Sequence, residues 1–405
     1  MGTGGLRLAR MVRRAFGLVL AAALLAPPPA IALPDCSPLP EKKTILSGRG
    51  RLESIISDAR GRIYFTDLSS SKLMRLDAPG APLKELVANI QGPGGLDWNL
   101  DGSLLLGFNG GAANPPADGE EGGFMRVDPE TGKSDVMNRG MGMANGVVRG
   151  PDGALYGSND IAGNIDRVFG GKVEDDWAKV EYANGLVIDT AGRYMYAAQT
   201  FRPASVARVE IAHPENVTFF FEASGPDIVG GPDGMTRDDA DRLFLAVNGL
   251  SEVWRIDRDG TACALARGIQ NASAVNWGGG GAFPRRNLYV TAFSGVLVEL
   301  PGVTDKPPAP GPPTAAARPA LHLTVSPTAV SRRTVVRFRF LVRTAAAGGQ
   351  TQPVPGATVR LGNKRATTNA AGRATIRVSY FHPGRKSARA LLAGYRSAAT
   401  RIRVR

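Results

Sequence analysis

An all-β chain, a six-bladed β-propeller followed by a small β-sandwich, is the architecture that the sequence predicts, and three observations predict it. A short pattern recurs six times between Glu53 and Tyr289. No stretch of that region holds an apolar 3.6-residue period long enough for a packed helix. After Pro301 the composition turns abruptly Pro-rich and then strongly basic.

The pattern is a key residue, usually Gly next, an aliphatic third, a turn Gly or Asp eight places on, and an aliphatic-aromatic pair beyond. It reads Glu53-Ser54-Ile55 with Ile63-Tyr64, Gly94-Gly95-Leu96 with Leu104-Leu105, and Asn145-Gly146-Val147 with Leu155-Tyr156. It continues as Asn184-Gly185-Leu186 with Tyr194-Met195, then Asp233-Gly234-Met235 with Leu243-Phe244. A looser copy, Ser273-Ala274-Val275, has its pair Leu288-Tyr289 displaced by the insertion Gly278 to Arg286. The key positions lie 41, 51, 39, 49 and 40 residues apart. Repeats of this period mean stacked units or propeller blades, and the first unit divides into strands near Arg62 to Asp67, Lys72 to Asp77 and Lys84 to Ala88. Six four-stranded blades close into a ring that protects its sheet edges.

In such a ring the innermost strand of each blade begins at its key residue, so the six converge on one end of the central channel. Glu53, Asn145, Asn184 and Asp233 then face one another. Two carboxylates and two amide oxygens form a hard oxygen cage, a ligand set that suits calcium or another hard divalent cation. Asn-Gly and Asp-Gly are also common turn dipeptides, which is the plainer account of the same residues. It does not explain Glu53, which Ser54 follows.

With these residues in place, the pattern resembles the SMP-30/gluconolactonase/LRE-like family of calcium-dependent six-bladed propellers over roughly residues 43 to 302. Gly231-Pro232-Asp233-Gly234-Met235 is the most specific piece of the likeness. The resemblance implies that Glu53, Asn184 and Asp233 ligate the metal, that Asn145 contacts metal or substrate, and that Asp233 doubles as the catalytic base. The implied activity is metal-assisted hydrolysis of a small lactone or ester. One departure bears on substrate: sugar-lactonase members carry Arg two residues before the Asn of the third blade, where this chain has Met143. The alternative is a non-catalytic propeller that binds a ligand or an envelope partner and uses calcium as a brace.

The remaining segments follow in chain order. Arg7, Arg10, Arg13 and Arg14, the apolar run Ala15 to Ala26 and the small residues Ala30-Ile31-Ala32 read as a signal peptide over 1–32, by the general or the twin-arginine route. Its apolar core is too short to span a bilayer, so no integral membrane segment is expected and the chain is placed outside the cytoplasm, periplasmic or extracellular. Lys43 to Gly48 is expected to supply the outer strand of the last blade within a propeller over 36–302. That would set Cys36 beside the outer strand of blade five, where Cys263 lies, and exported chains permit a disulfide. Two unpaired thiols are the alternative.

Gly107 to Gly123 is too long for a hairpin connection and is expected as a lid on the key-residue face. Gln199 to Pro203 and Gly278 to Arg286 are further rim candidates. His213, His322 and His382 fall outside the key set, and no Gly-Xaa-Ser-Xaa-Gly elbow or zinc spacing occurs, so chemistry rests on oxygen ligands.

Residues 303–317 form a Pro/Ala-rich linker. From Arg318 to Arg405 there are eighteen Lys or Arg and no Asp or Glu, which leaves residues 36 to 317 at −8 within a whole-chain charge of +13. Alternation such as Val335-Arg337-Arg339 and Thr375-Arg377-Ser379 reads as strands with basic outer faces. Val354-Pro355-Gly356-Ala357-Thr358-Val359, Thr367 to Gly372 and Ala393-Gly394-Tyr395 resemble bacterial Ig-like and carboxypeptidase-regulatory-like modules, which present or tether a neighbour. The basic faces read either as the ordinary surface of a soluble sandwich in an arginine-rich chain or as attraction to an anionic envelope polymer or lipid headgroup. Nucleic acid is not expected, since the basic faces carry few aromatics for stacking.

Overall fold

The computed structural model describes residues 32–109, 119–201, 203–311, 319–346, 350–392 and 395–405. The predicted signal peptide, apart from Ala32, and the centre of the predicted lid lie outside the described residues. The rest is β throughout, save one 3-10 turn at Gly225–Val229.

Six four-stranded antiparallel sheets form the blades. Their inner strands are Leu52–Ser57, Pro93–Trp98, Val147–Arg149, Ala183–Ile188, Pro232–Arg237 and Ala272–Trp277. Lys43–Leu46 pairs with Leu297–Leu300 and completes the sixth sheet, so the propeller's first and last strands close the ring in one blade. Beside this closure Cys36 and Cys263 are joined, with Cα atoms 5.1 Å apart across 227 residues. The Cys36 backbone N–H donates to the Ala264 carbonyl, and Leu33 N–H donates to the buried Asp227 at 2.6 Å.

The aliphatic-aromatic pairs explain themselves as the mortar between blades. Tyr64, Tyr156, Phe244 and Tyr289 are almost wholly buried. Tyr64 meets Trp98 of the next blade edge-on at 5.8 Å, and Phe244 meets Trp277 at 4.9 Å. Each such ring contributes about 1.5–3 kcal/mol by leaving water. Period-two alternation puts one face of every sheet against its neighbour blade, which is why the pattern must recur in every unit.

The C-terminal sandwich stacks two sheets over a core that includes Phe338, Phe340, Val342, Val359 and Ile402. One sheet orders Leu321–Ser326, Val336–Ala345 and Thr351–Pro353, with Arg373–Val378 also paired to Val336–Ala345; the other orders Ala329–Val330, Ala398–Val404, Gly384–Leu391, Thr358–Leu361 and Lys364–Thr367.

Two expectations need correction. Gly278 to Arg286 connects the first and second strands of its blade, which places it at the end of the channel opposite the key residues, where Gly279 abuts the Asp58 carbonyl. It is not a rim of the mouth. The first half of the predicted linker is also held down on that far face: the Lys306 carbonyl accepts from Asp239 N–H, Arg285 donates to the carbonyls of Pro307 and Pro308, and Thr304 joins Asp238 and Arg242. Proline carbonyls are good acceptors even where the ring removes the donor.

Candidate metal and catalytic site

In five of the six blades the key residue is aimed into the channel by a local irregularity; the ladder of blade three, behind Asn145, is regular. The ladder between first and second strands shifts register at Leu52/Ile55, Pro93/Leu96, Ala183/Leu186, Pro232/Met235 and Ala272/Ala274. In the first four of these two residues leave the pairing, in the last only Ser273 does, and such a bulge re-aims a side chain. The Gly in second place serves close approach rather than a turn: a Cβ on Gly146 would lie 2.0 Å from the Asn184 carbonyl oxygen, and one on Gly185 2.3 Å from that of Asp233. Blade one uses Ser54 instead, whose N–H donates to Thr66 and whose hydroxyl accepts from Leu96 N–H.

Hydroxyls on blades one, three and four lash their blade to the next. Thr66 donates to the Gly94 carbonyl, Ser158 to that of Asn184 at 2.6 Å, and Thr200, just past its strand, to that of Pro232. The key backbone is thereby fixed before any ligand arrives.

Glu53, Asn145, Asn184 and Asp233 all line a channel cavity of about 140 Å³ and the bowl of about 680 Å³ above it. Glu53, Asn184 and Asp233 are buried and Asn145 half-buried. Gly94 and Ser273 occupy the other two key positions without a charged group. Sequence reasoning missed Asp160, which stands at the bowl between the second and third strands of blade three and pairs with the Asn145 side chain. A signal existed: Asn109, Asp160 and Asn248 each follow their key residue by fifteen places, and all three line the bowl.

Three carboxylates therefore crowd one low-dielectric mouth. Burial, then the charge of Asp160, pushes Glu53 up to about 8, with Arg51 opposing. Burial, then Glu53 and Asp160, holds Asp233 well above the usual carboxylate range, although Gly234 N–H and Asn184 pull the other way. Burial raises Asp160 as well, with its bond to Asn145 opposing. One Asp160 oxygen, Oδ1, is buried with no partner. Asn184 turns its amide N–H to Thr200 at 2.9 Å, which leaves its oxygen as the atom available for a cation.

These donors fit a hard divalent cation: three carboxylates have only the rim charge of Arg51 against them, and their pKa values stay raised in spite of it. Among the described residues, no three Asp, Glu, His or Cys side chains form a metal-holding group by themselves, so any cage needs the asparagine oxygens. Arg51, over the Phe293 ring at 4.5 Å, is the cation at the rim. Around it the bowl is apolar, with Met143, Ile161, Phe201 and Val229 on its wall; Ile161, Phe201 and Val229 are left exposed.

Residues 157–294 match the SMP-30/Gluconolactonase/LRE-like region. No curated protein matches the sequence. Among solved structures, the chain is similar to a gluconolactonase from Xanthomonas campestris at 17% identity and a TM-score of 0.53, over 68% of this chain and 99% of that one. It is also similar to a luciferin-regenerating enzyme (15% identity, TM-score 0.52, 67% of this chain and 99% of that one). An auxiliary nutrient binding protein from Bacteroides thetaiotaomicron is similar too (10% identity, TM-score 0.52, 64% of this chain and 75% of that one). Likeness at such identity is likeness of fold, and this fold serves both enzymes and a binding protein.

Proposed function

We propose, from the match of residues 157–294 to the SMP-30/gluconolactonase/LRE-like region, that the mouth of the propeller hydrolyses a small lactone or ester with the help of calcium or a similar hard cation. The observation that carries this reading is the cluster of Glu53, Asp160 and Asp233, three carboxylates with raised pKa values at the floor of an open bowl. Such a cluster opposes folding unless a cation or a reaction makes use of it.

Glu53, Asn184 and Asp233 are the residues that would hold the ion, which when bound polarises a carbonyl as a Lewis acid. Asp233 accepts the proton of the attacking water, a task that suits a carboxylate whose basicity burial has raised. Asn145 orients the substrate oxygen through its amide, and Asp160 fixes that amide. Arg51 offers a positive charge at the mouth where Met143 does not, and it stands on another blade. The exposed Ile161, Phe201 and Val229 exclude water from an apolar substituent and suit an acyl or aryl lactone better than a sugar acid.

In this reading the chain is exported, periplasmic or extracellular, and an anionic polymer of the envelope is the partner of its basic module. The joined Cys36 and Cys263 support an oxidising compartment.

The test is hydrolysis of a panel of sugar, alkyl and aryl lactones and aryl esters by chelator-stripped protein, with and without added calcium. Activity that needs calcium, favours apolar substituents and falls by about 10²–10⁴ in Asp233→Asn supports the reading. Calorimetric calcium binding lost in Glu53→Ala, with no turnover across the panel, would replace it with a binding propeller braced by the ion.

A further inference from the structure

The C-terminal sandwich stacks arginine against arginine. Arg365, Arg360 and Arg389 stand directly opposite one another across three neighbouring strands, and Arg385 faces Arg403 in the same sheet. In the other sheet Arg337 faces Arg377. All of these are exposed. Directly opposed like charges destabilise a sheet, and the module has no Asp or Glu to relieve them. Asp152, a propeller carboxylate at the junction, is already engaged by Gln352 and by the propeller's own Arg167. The propeller follows the opposite practice: its arginines are interleaved with carboxylates, as in Arg75 with Asp77 and Arg126 with Asp135.

We infer that the sandwich binds a linear acidic polysaccharide. Same-face residues recur every ~6.6–6.8 Å along a strand, and opposed pairs lie ~4.5–5.5 Å apart across it. A chain laid along or across the strands therefore meets guanidinium forks at short, regular intervals, and the fork matches a carboxylate with two hydrogen bonds. The distribution of charge selects among polyanions. Both outer faces are basic and point away from each other, so a planar bilayer could neutralise one of them, whereas a flexible chain can follow both. Neither arginine face offers a platform for bases: Phe381 lies in a turn and the Tyr395 hydroxyl is spent on the Asp152 carbonyl.

The docking of the module says where this polymer would lie. Tyr395, Gln352 and Pro355 contact Asp152, Arg167 and Gly170, and the Asp152 and Gly170 turns of blade three lie on the face opposite the mouth. Polymer held by the sandwich would leave the bowl open. The inference goes beyond the propeller's chemistry, and it rests on export only for where the polymer is met.

The experiment is titration of the whole mature chain with polygalacturonate as sodium chloride rises from about 50 to about 300 mM. Expected is binding whose affinity falls steadily with salt, weakened about tenfold or more in the triple variant Arg360→Gln, Arg365→Gln, Arg389→Gln and only partly restored with Lys at the same positions, which keeps the charge but loses the fork. The triple Gln variant should melt no lower than the parent, since repulsion has been removed, which separates lost binding from lost folding. Its lactone turnover should be unchanged, so failure here and failure of the proposed hydrolase are read separately. No binding, or equal binding by the triple Gln variant, overturns the inference. Phosphatidylglycerol vesicles or single-stranded DNA bound as tightly at equal charge concentration would overturn the choice of a polysaccharide.

Discussion

The inner strands of blades one and five carry a carboxylate at each end, and the two ends are treated in opposite ways. At the far end Asp58 pairs with Arg62 and accepts from Tyr64, while Asp238 pairs with Arg242 and accepts from Thr304. At the mouth, five residues earlier in the chain, Glu53 and Asp233 face each other and Asp160, and the side-chain bonds there come from neutral amides, Asn184 on Asp233 and Asn145 on Asp160, rather than from an ion pair. The far end spends its carboxylates on structure: Asp238 gathers two backbone N–H groups, a guanidinium and a hydroxyl. The mouth withholds that satisfaction. Within a single strand, then, pairing marks what holds the ring and its lack marks what the ring holds in readiness.

The sharpest way to break this comparison is to change one carboxylate at each end. Asp238→Ala should lose about 3 kcal/mol or more of unfolding free energy, since it leaves two backbone N–H groups, the Thr304 hydroxyl and the half-buried Arg242 guanidinium without their acceptor, and should leave calcium affinity per folded molecule unchanged. Asp233→Asn should do the reverse, raising the midpoint of the metal-free chain while abolishing calcium binding. A metal-free Asp233→Asn chain less stable than its parent would show that the mouth carboxylate is a structural group after all.

A second test follows from the direction of the shifts at the mouth. Glu53 rises from 4.5 to about 8 on folding, so between those values the folded chain holds a proton that the unfolded chain releases. Stability from this group is complete below about pH 4.5 and is lost as pH climbs through about 8. The metal-free protein should therefore melt lower at pH 9 than at pH 6, with saturating calcium narrowing the gap. Equal melting at both values without calcium would contradict the crowding of charge described here.

Much of this was legible in the sequence because a repeat fixes register: once Glu53, Asn145, Asn184 and Asp233 share a place in the unit, ring closure must bring them together. The glycines were legible as a pattern and misleading as chemistry, because Asn-Gly looks the same whether the Gly makes a turn or yields space to the next blade's backbone, as Gly146 does. Asp160 lies outside the repeat pattern, which ends at the aliphatic-aromatic pair, four places short of it at Tyr156. Gly278 to Arg286 was misplaced for want of a parity rule: connections after odd strands of a blade fall at the far end and connections after even strands at the mouth. The docking of the sandwich on blade three had no sequence signal, because Gln352 and Tyr395 read as ordinary surface residues until their partners are seen.

The smallest effect concerns the hydroxyl lashings, which lie between the two ends. If the mouth opposes folding, something nearby must hold its geometry, and Ser158 is well placed to do so. It accepts from Gly146 N–H and donates to the Asn184 carbonyl, so one buried oxygen ties the residues that flank two of the proposed site groups. Ser158→Ala removes that oxygen and leaves Gly146 N–H without its side-chain acceptor, at about 1–3 kcal/mol. Thr344→Val, which deletes a buried hydroxyl bonded to the Ala320 carbonyl in the sandwich, is the matched control. Both variants should lose stability, but calcium affinity should fall only in Ser158→Ala, because only there does the lost bond hold the backbone of Asn184. Equal affinity in the two variants would mean that the bulges hold their shape without the lashings and that the mouth is preorganised by the close glycine contacts alone.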